Sequence, residues 1–161
     1  MITYRAAKFD DVEKIHKLLN DYAKAGLMLP RSRNAIYENL RDYIVVMQSR
    51  HLVGCGALHF VWDRLAEIRS LAVDPELKCT GIGRNIVELL EKEGIERGVK
   101  MFFTLTYQPG FFAKCNYIET AKEKLPQKVW KECVYCPQYP YCNEIAFVKT
   151  TVDYQPGDIL F

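Results

Sequence analysis

The residues best suited to chemistry form a glycine-bearing loop, Lys78-Cys79-Thr80-Gly81-Ile82-Gly83-Arg84, between an apolar strand pattern and a helical pattern. Asp74-Pro75 ends the strand, because proline has no amide to donate to a ladder. The first amides of a helix have no intrahelical partner, and the helix dipole adds positive charge there. Gly81 and Gly83 carry no Cβ that would hold a phosphate away from the backbone. The loop therefore predicts a pyrophosphate site, with a simple tight turn as the alternative.

Two standard nucleotide motifs are excluded in this loop. It lacks the Gly-Lys-Ser/Thr ending of the NTPase P-loop. Position 86 is Ile, so the third glycine of the dinucleotide fingerprint is also missing.

The elements that must position the loop are predicted from hydrophobic periodicity. The pattern gives the order β-α-α-β-β-β-α-β-α-β, a mixed α/β fold with antiparallel hairpins first and a β-loop-α-β crossover in the middle. The predicted strands cover residues 2–6, 44–47, 52–58, 66–73 and 101–106, and residues 117–161 are predicted as further strands joined by irregular segments. The predicted helices follow Asp11, Asn34, Gly83 and Pro109. Trp62-Asp63-Arg64 is predicted as a linker between the third and fourth strands.

Length and charge limit the classes of protein. The chain has 161 residues, of which 49% are hydrophobic, so we expect a single globular domain over 1–161. The formal net charge is only +2, which argues against nucleic acid as the main partner. No apolar run approaches the ~18 residues of a membrane span, and the N-terminus has no secretory pattern. We therefore expect a cytoplasmic protein that does not bind membranes.

Two segments resemble motifs of the GCN5-related N-acetyltransferases. Residues 78–83 resemble motif A, Gln/Arg-x-x-Gly-x-Gly/Ala, with Lys78 at the first position, and Phe111 to Tyr117 is similar to motif B. The resemblance implies the GNAT acyl-CoA N-acyltransferase fold, a strongly twisted mixed sheet flanked by helices, with acetyl-CoA as cosubstrate. The cofactor-binding residues that it implies are Leu71, Ala72, Val73, Lys78, Cys79, Thr80, Gly81, Ile82, Gly83 and Arg84.

A narrower resemblance is to the N-acetylglutamate synthases. Gly26 to Arg33, Ala66 to Val73 and Lys124-Leu125-Pro126 are similar to segments of that family. The resemblance implies a short stand-alone form that acetylates the α-amino group of L-glutamate by direct aminolysis, the first step of arginine biosynthesis. Arginine pairs with carboxylates in bidentate geometry, which suits a dicarboxylate. The acceptor-binding residues are then Arg31, the first choice, with Ser32, Arg33 and Arg69.

The acetyltransferase chemistry needs a proton acceptor and a route for the departing thiolate. Glu67 is the candidate base, through a water. On a strand, residues 67, 69, 71 and 73 share one face or edge pattern, which places Glu67 near a thioester held at Leu71. Many family members use a Tyr as general acid where this chain has Phe112, so Tyr107 is the fallback.

Three cysteines, Cys133, Cys136 and Cys142, lie within residues 125–144 in the spacing Cys-x2-Cys-x5-Cys. A structural zinc site is one interpretation, because Cys-x2-Cys is half of a common zinc-binding pattern. Packed reduced thiols and a redox pair are the others. Similarity to short glutamate acetyltransferases assigns the segment to a substrate-side lid or a homodimer surface. Two other functions stay open: acetylation of another amino acid or amine, and a non-catalytic sensor that binds CoA or a metal.

Overall fold

The computed structural model describes residues 1–125 and 143–159 of the chain. In that part the α-helices are α1 (Val12–Lys24), α2 (Arg33–Glu38), α3 (Ile82–Glu96) and α4 (Pro109–Lys114). The strands are β1 (Ile2–Ala6), β2 (Tyr43–Gln48), β3 (His51–Trp62), β4 (Leu65–Val73), β5 (Met101–Thr106), β6 (Ile118–Thr120) and β7 (Ile145–Thr150). The order predicted from the sequence is confirmed, with one further strand at the end.

The seven strands form one mixed sheet in the order β1-β2-β3-β4-β5-β7-β6. The pairs β1–β2, β2–β3, β5–β7 and β6–β7 are antiparallel, whereas β4 and β5 are parallel. The parallel pair requires the crossover that α3 supplies, as parallel strands always do. By contacts the described chain divides into two compact units, residues 1–59 with 68–93 and residues 60–67 with those from 94 onward. The three boundaries fall inside β3, β4 and α3.

In the first unit, α1 packs on one face of the sheet. Its apolar residues Val12, Ile15, Leu19 and Tyr22 recur every three or four positions and are all buried. They share a core cluster with Tyr43, Val45, Cys55, Ala57 and Ala72 of the strands. This face, which we call the α1 face, also carries the side chains that the candidate acceptor site needs.

Helix α3 packs against the opposite face of β3, where the strand has glycines. A Cβ at Gly56 would lie 2.6 Å from Ile86 Cγ2, whereas one at Gly54 would meet its nearest atoms at 3.4 Å. Carbon atoms in ordinary contact are about 3.5–4.0 Å apart. Gly56 is therefore the residue that lets α3 approach the strand closely, and this approach fixes the N-terminal turn of the helix.

In the second unit, β5 carries the core. Phe103 is fully buried and packs with Leu65, Leu125, Ala146 and Ile159. Phe112 of α4 is buried as well, with edge-to-face contacts to the rings of Phe111 at 5.1 Å and Tyr117 at 5.4 Å between centroids. Phe112 is thus a packing residue of its unit.

Some predicted boundaries were wrong. β3 extends to Trp62, so the predicted linker is reduced to the turn at Asp63 and Arg64. Arg64 has a left-handed φ of 61° there, a conformation that sequence alone does not reveal for arginine. Among the helices of the described residues, none combines the length and apolarity that a membrane span requires.

Candidate active site

The loop between β4 and α3 has the open helix start that the sequence predicts. Cys79 and Gly81 both have positive φ, 65° and 91°. The first amide of α3 with an intrahelical partner is that of Asn85, which donates to the Gly81 carbonyl at 3.0 Å. The amides of residues 82–84 precede that bond and lie in the first turn of α3, the part of a helix that binds anions.

The space in front of the loop is accessible. A Cβ at Gly81 would meet no atom within 4 Å. Lys78, Cys79, Thr80 and Arg84 are exposed, whereas the side chain of Ile82 is buried beneath the turn. Two cationic side chains and a helix start therefore face solvent together, which favours an anionic ligand.

Tyr22 of α1 supports the start of this loop, a role that the sequence analysis missed. Its hydroxyl donates to the carbonyl oxygen of Val73, the last residue of β4. The ammonium of Lys78 lies 5.3 Å from the centroid of the Tyr22 ring, within cation–π range. Burial raises the pKa of Tyr22, so the hydroxyl stays a donor.

Beside this loop the first unit has a cleft of about 540 Å³. Its basic lining residues are Lys14, Lys17, Arg50, His51 and Lys78, and its acidic ones are Asp21 and Asp74. Lys17 and Asp21 pair at 2.7 Å across one helical turn. The remaining excess of positive charge extends the cationic surface of the loop.

The prediction that side chains alternate regularly along β4 is wrong, because Ser70 has a left-handed φ of 56° in the middle of the strand. Before Ser70, Arg69 acts electrostatically on the hydroxyl of Tyr43, which belongs to the α1 face. After Ser70, the side chain of Ala72 belongs to the α1 face. Leu71 Cδ1 lies on the other face beside α3, 3.3 Å from where a Cβ on Gly56 would be. Arg69 and Leu71 thus lie on opposite faces, as a bulge-like irregularity produces.

Two buried side chains hold this irregularity at Ser70. The Tyr43 hydroxyl donates to Ser70 Oγ at 3.1 Å, and Cys55 Sγ donates to the Ser70 carbonyl at 3.4 Å. Burial raises the pKa of the Cys55 thiol to about 12, so this cysteine is an inert packing residue. A strained backbone held by several contacts is a frequent feature of functional sites.

Two of the four predicted acceptor residues converge near Tyr43. Burial raises the pKa of Tyr43, and the positive charges of Arg31 and Arg69 both oppose that rise. Arg31 is half-buried and Arg69 is buried, and both make interactions. Two guanidinium groups near one phenol suit a ligand with carboxylates.

The other two have structural contacts. Ser32 caps α2, its hydroxyl accepting from the Ala35 amide at 3.1 Å. Arg33 Nε donates to Glu13 Oε1 at 2.7 Å, in a pair that is mostly exposed. Arg31 immediately precedes the cap residue Ser32.

The predicted base and acid belong to the second unit. Glu67 is half-buried in β4, where its Cα partner in β5 is Phe103. Tyr107 is half-buried just beyond the end of β5. Both make interactions within the structure.

The three clustered cysteines lie outside the described residues. Within the residues that are described, no group of three His, Cys, Asp or Glu side chains is arranged to hold a metal. Cys115, which lies in the segment similar to motif B, is buried.

A further pair that the sequence analysis missed is His59 with Asp42. His59 Nδ1 lies 2.7 Å from Asp42 Oδ2, and both side chains are half-buried. The residues are 17 positions apart in the chain, and no spacing rule links them.

Comparisons with known proteins identify the family of the chain. The model of the acetyltransferase (GNAT) family matches residues 12–117. An uncharacterized N-acetyltransferase of Chlorobaculum tepidum is 44% identical over 146 residues, which cover 91% of this chain and 94% of the relative. An amino-acid acetyltransferase of Mycobacterium tuberculosis is 33% identical over 131 residues, covering 80% and 75% respectively.

Solved structures have the same fold. N-acetylglutamate synthase from Neisseria gonorrhoeae, complexed with coenzyme A and N-acetyl-glutamate, matches with a TM-score of 0.84 at 22% identity, over 93% of this chain and 35% of that chain. A Mycobacterium tuberculosis protein in complex with CoA matches with a TM-score of 0.80 at 26% identity, over 93% and 99%. The chain belongs to the acetyltransferase (GNAT) family.

Proposed function

We propose that the protein transfers the acetyl group of acetyl-CoA to the α-amino group of L-glutamate. The observation that carries the proposal is that the charges of Arg31 and Arg69 both act on the hydroxyl of Tyr43, which bonds to the irregular residue Ser70 of β4. The M. tuberculosis relative named amino-acid acetyltransferase supports an amino acid as acceptor.

The donor would bind at the loop before α3. Amides of residues 82–84 would donate hydrogen bonds to the pyrophosphate, with Lys78 and Arg84 adding charge. The CoA that is bound in two structural neighbours supports this assignment. Backbone groups at Leu71 and Val73 would hold the pantetheine arm, although the Tyr22 hydroxyl already uses one lone pair of the Val73 carbonyl.

The acceptor would be held by its carboxylates. Arg31 and Arg69 each offer a planar set of donors that matches one carboxylate. Because Arg69 is 8% exposed, a carboxylate that replaces water beside it would experience little screening. A glutamate amine held at this end of the site could then attack the thioester carbonyl, and the C–S bond would break to release the CoA thiolate.

Proton transfer is assigned from the family resemblance. Glu67, two residues before Arg69 in β4, is the proposed base, through a water. Phe112 cannot donate a proton and is part of the core, so Tyr107 is the proposed donor to the thiolate. Glu67→Gln should lower kcat more than KM, and Tyr107→Phe should do so less strongly.

The test of the proposed function is release of CoA thiol with a panel of amino acids and amines as acceptors. Turnover confined to glutamate is the expected result. Turnover with other acceptors but not glutamate would refute the glutamate assignment and favour the amine alternative. Binding of CoA without turnover would favour a sensor.

The acceptor role of Arg31 has a matched control in Arg33. Arg31→Ala should raise KM for glutamate at least tenfold, about the 1.5–3 kcal/mol of a charge-assisted hydrogen bond, and leave KM for acetyl-CoA within twofold. Arg33→Ala breaks only the exposed pair with Glu13 and should change both KM values little. Equal effects on the two substrates in Arg31→Ala would contradict the assignment.

From the sequence we also propose a place in arginine biosynthesis, a cytoplasmic location and a homodimer. Binding of zinc by Cys133, Cys136 and Cys142 is a further proposal from the sequence. Metal analysis of the purified protein beside a Cys136→Ser variant tests the zinc assignment, because only a bound metal would be lost with the thiol.

A further inference from the structure

Asp42 fixes the orientation and the tautomer of His59. An ionised carboxylate can only accept a hydrogen bond, so the 2.7 Å contact requires the proton of a neutral imidazole to be on Nδ1. The other ring nitrogen, Nε2, then has its lone pair free to accept a proton. The side chains of His59 and Asp42 are 28% and 22% exposed, which leaves the pair reachable yet partly shielded.

The pair lies on the α1 face, beside the residues of the proposed acceptor site. Tyr43 is the Cα partner of Ala57, and both belong to the α1-face core cluster. Asp42 immediately precedes Tyr43, and His59 follows Ala57 by two residues, so alternation in β3 puts His59 on the same face. Ala57 and His59, two residues apart in the extended strand, are separated by about 7 Å between Cα atoms. Asp42 contacts the ring of His59, and the charges of Arg31 and Arg69 act on the neighbouring Tyr43.

We propose that His59 is a catalytic residue that takes the proton of the acceptor ammonium, directly or through one water, with Asp42 as its positioning residue. The inference rests on the proposed transfer of acetyl to an amine, and not on which amine is used.

The proposed step balances. One N–H bond of the ammonium breaks and its proton goes to His59 Nε2, which leaves an amine with a lone pair. That lone pair forms the bond to the thioester carbonyl carbon, and the C–S bond breaks with its electrons going to sulfur. The adduct nitrogen then loses a second proton, which replaces the one that the proposed donor Tyr107 gives to the thiolate, and the imidazolium releases the first proton to solvent. Histidine is the side chain that serves most often as a general base. His59 and Glu67 are thus two candidates for one role, and the larger fall of kcat in His59→Asn or in Glu67→Gln distinguishes them.

The decisive variant is His59→Asn, because an asparagine amide can still donate to Asp42 from the position of Nδ1 but has nothing at the position of Nε2. We expect kcat at pH 7 to fall about 100-fold or more, the usual contribution of a general base. KM for acetyl-CoA should stay within twofold. The loss should shrink as the pH rises toward the pKa of the acceptor amine, and added imidazole should restore part of kcat.

Asp42→Asn and His16→Asn complete the experiment. Asp42→Asn should lower kcat by a smaller factor, because the imidazole of His59 keeps its position but its tautomer is no longer fixed by a carboxylate. His16→Asn changes a histidine of α1 that lies outside the proposed site and should keep the wild-type kcat and pH profile.

Two results would overturn the inference about His59. One is a wild-type kcat in His59→Asn. The other is a loss that stays constant with pH and accompanies a lower melting temperature, since this would mark a structural contact. All variants are assayed with glutamate and with any amine that the wild type acetylates. Turnover of another amine only would refute glutamate while the test of His59 proceeds, and no turnover with any amine would refute both.

Discussion

Gly56 is predicted to be the least replaceable small residue of β3, and Gly54 provides its matched control. In Gly56→Ala the new methyl would lie 2.6 Å from Ile86 Cγ2 and 3.3 Å from Leu71 Cδ1. Ile86 is fully buried, and its Cγ2 is fixed next to the helix backbone, so the overlap cannot be relieved by a small side-chain rotation. In Gly54→Ala the nearest atoms are at 3.4 Å, which is ordinary contact.

The expected magnitude follows from the overlap. Relieving about 1 Å of overlap requires α3 to move away from β3, and overpacking of this kind costs about 1–3 kcal/mol. Both variants gain about 0.5–1 kcal/mol, because alanine has less backbone freedom than glycine in the unfolded chain. The free energies of unfolding should therefore differ by about 1–3 kcal/mol, with Gly56→Ala the less stable. For a chain of 161 residues this corresponds to a Tm difference of roughly 2–12 °C.

The assay combines thermal unfolding with kinetics. Because Ile86 lies one turn after Ile82, a displaced helix also displaces the amides of residues 82–84. We expect Gly56→Ala to raise KM for acetyl-CoA more than KM for the acceptor. Equal melting temperatures of Gly56→Ala and Gly54→Ala would refute the claim that this glycine sets the approach of α3.

Two other predictions use groups whose environments are defined. Asp11 is buried and accepts a bidentate bond from Arg5 at 2.7 and 3.0 Å, which lowers its pKa. Its contribution to stability is present above the ordinary carboxyl pKa of about 4 and is lost as the pH falls through the lower folded value. Urea unfolding between pH 7 and 2.5 should thus be less pH-dependent in Asp11→Asn; an unchanged slope would contradict this. Iodoacetamide should alkylate exposed Cys79 and leave buried Cys55 unmodified, and CoA should protect Cys79; peptide mass mapping that finds no protection would contradict the loop assignment.

Sequence patterns predicted the elements better than the contacts between them. The periodicity of α1 and the loop before α3 are local features, and the structure has both. The irregularity at Ser70 is not local, because it depends on a hydroxyl of Tyr43 that is 27 residues away in the chain. Nothing in the type of a serine indicates a positive φ inside a strand. The strict alternation expected for β4 failed for this reason.

The candidate site shows the same division. Arg31 and Arg69 were predicted from short motifs, whereas Tyr22 and the Asp42–His59 pair depend on contacts over 51 and 17 positions. Such contacts follow from strand register, and one sequence does not encode register in any spacing.

The phase change at Ser70 also restricts how β4 can vary in length. Arg69, just before Ser70, lies on the α1 face of the sheet. Ala72, three residues later, lies on the same face only because the irregularity at Ser70 interrupts the alternation of side chains. Inserting or deleting a single residue on either side would place Leu71 on the α1 face and Ala72 on the face that packs against α3. The leucine would then lose its contact with α3 and would have to pack against α1. Natural length variants of this chain should therefore have their gaps in the flanking turns and keep the nine residues from Leu65 to Val73 intact.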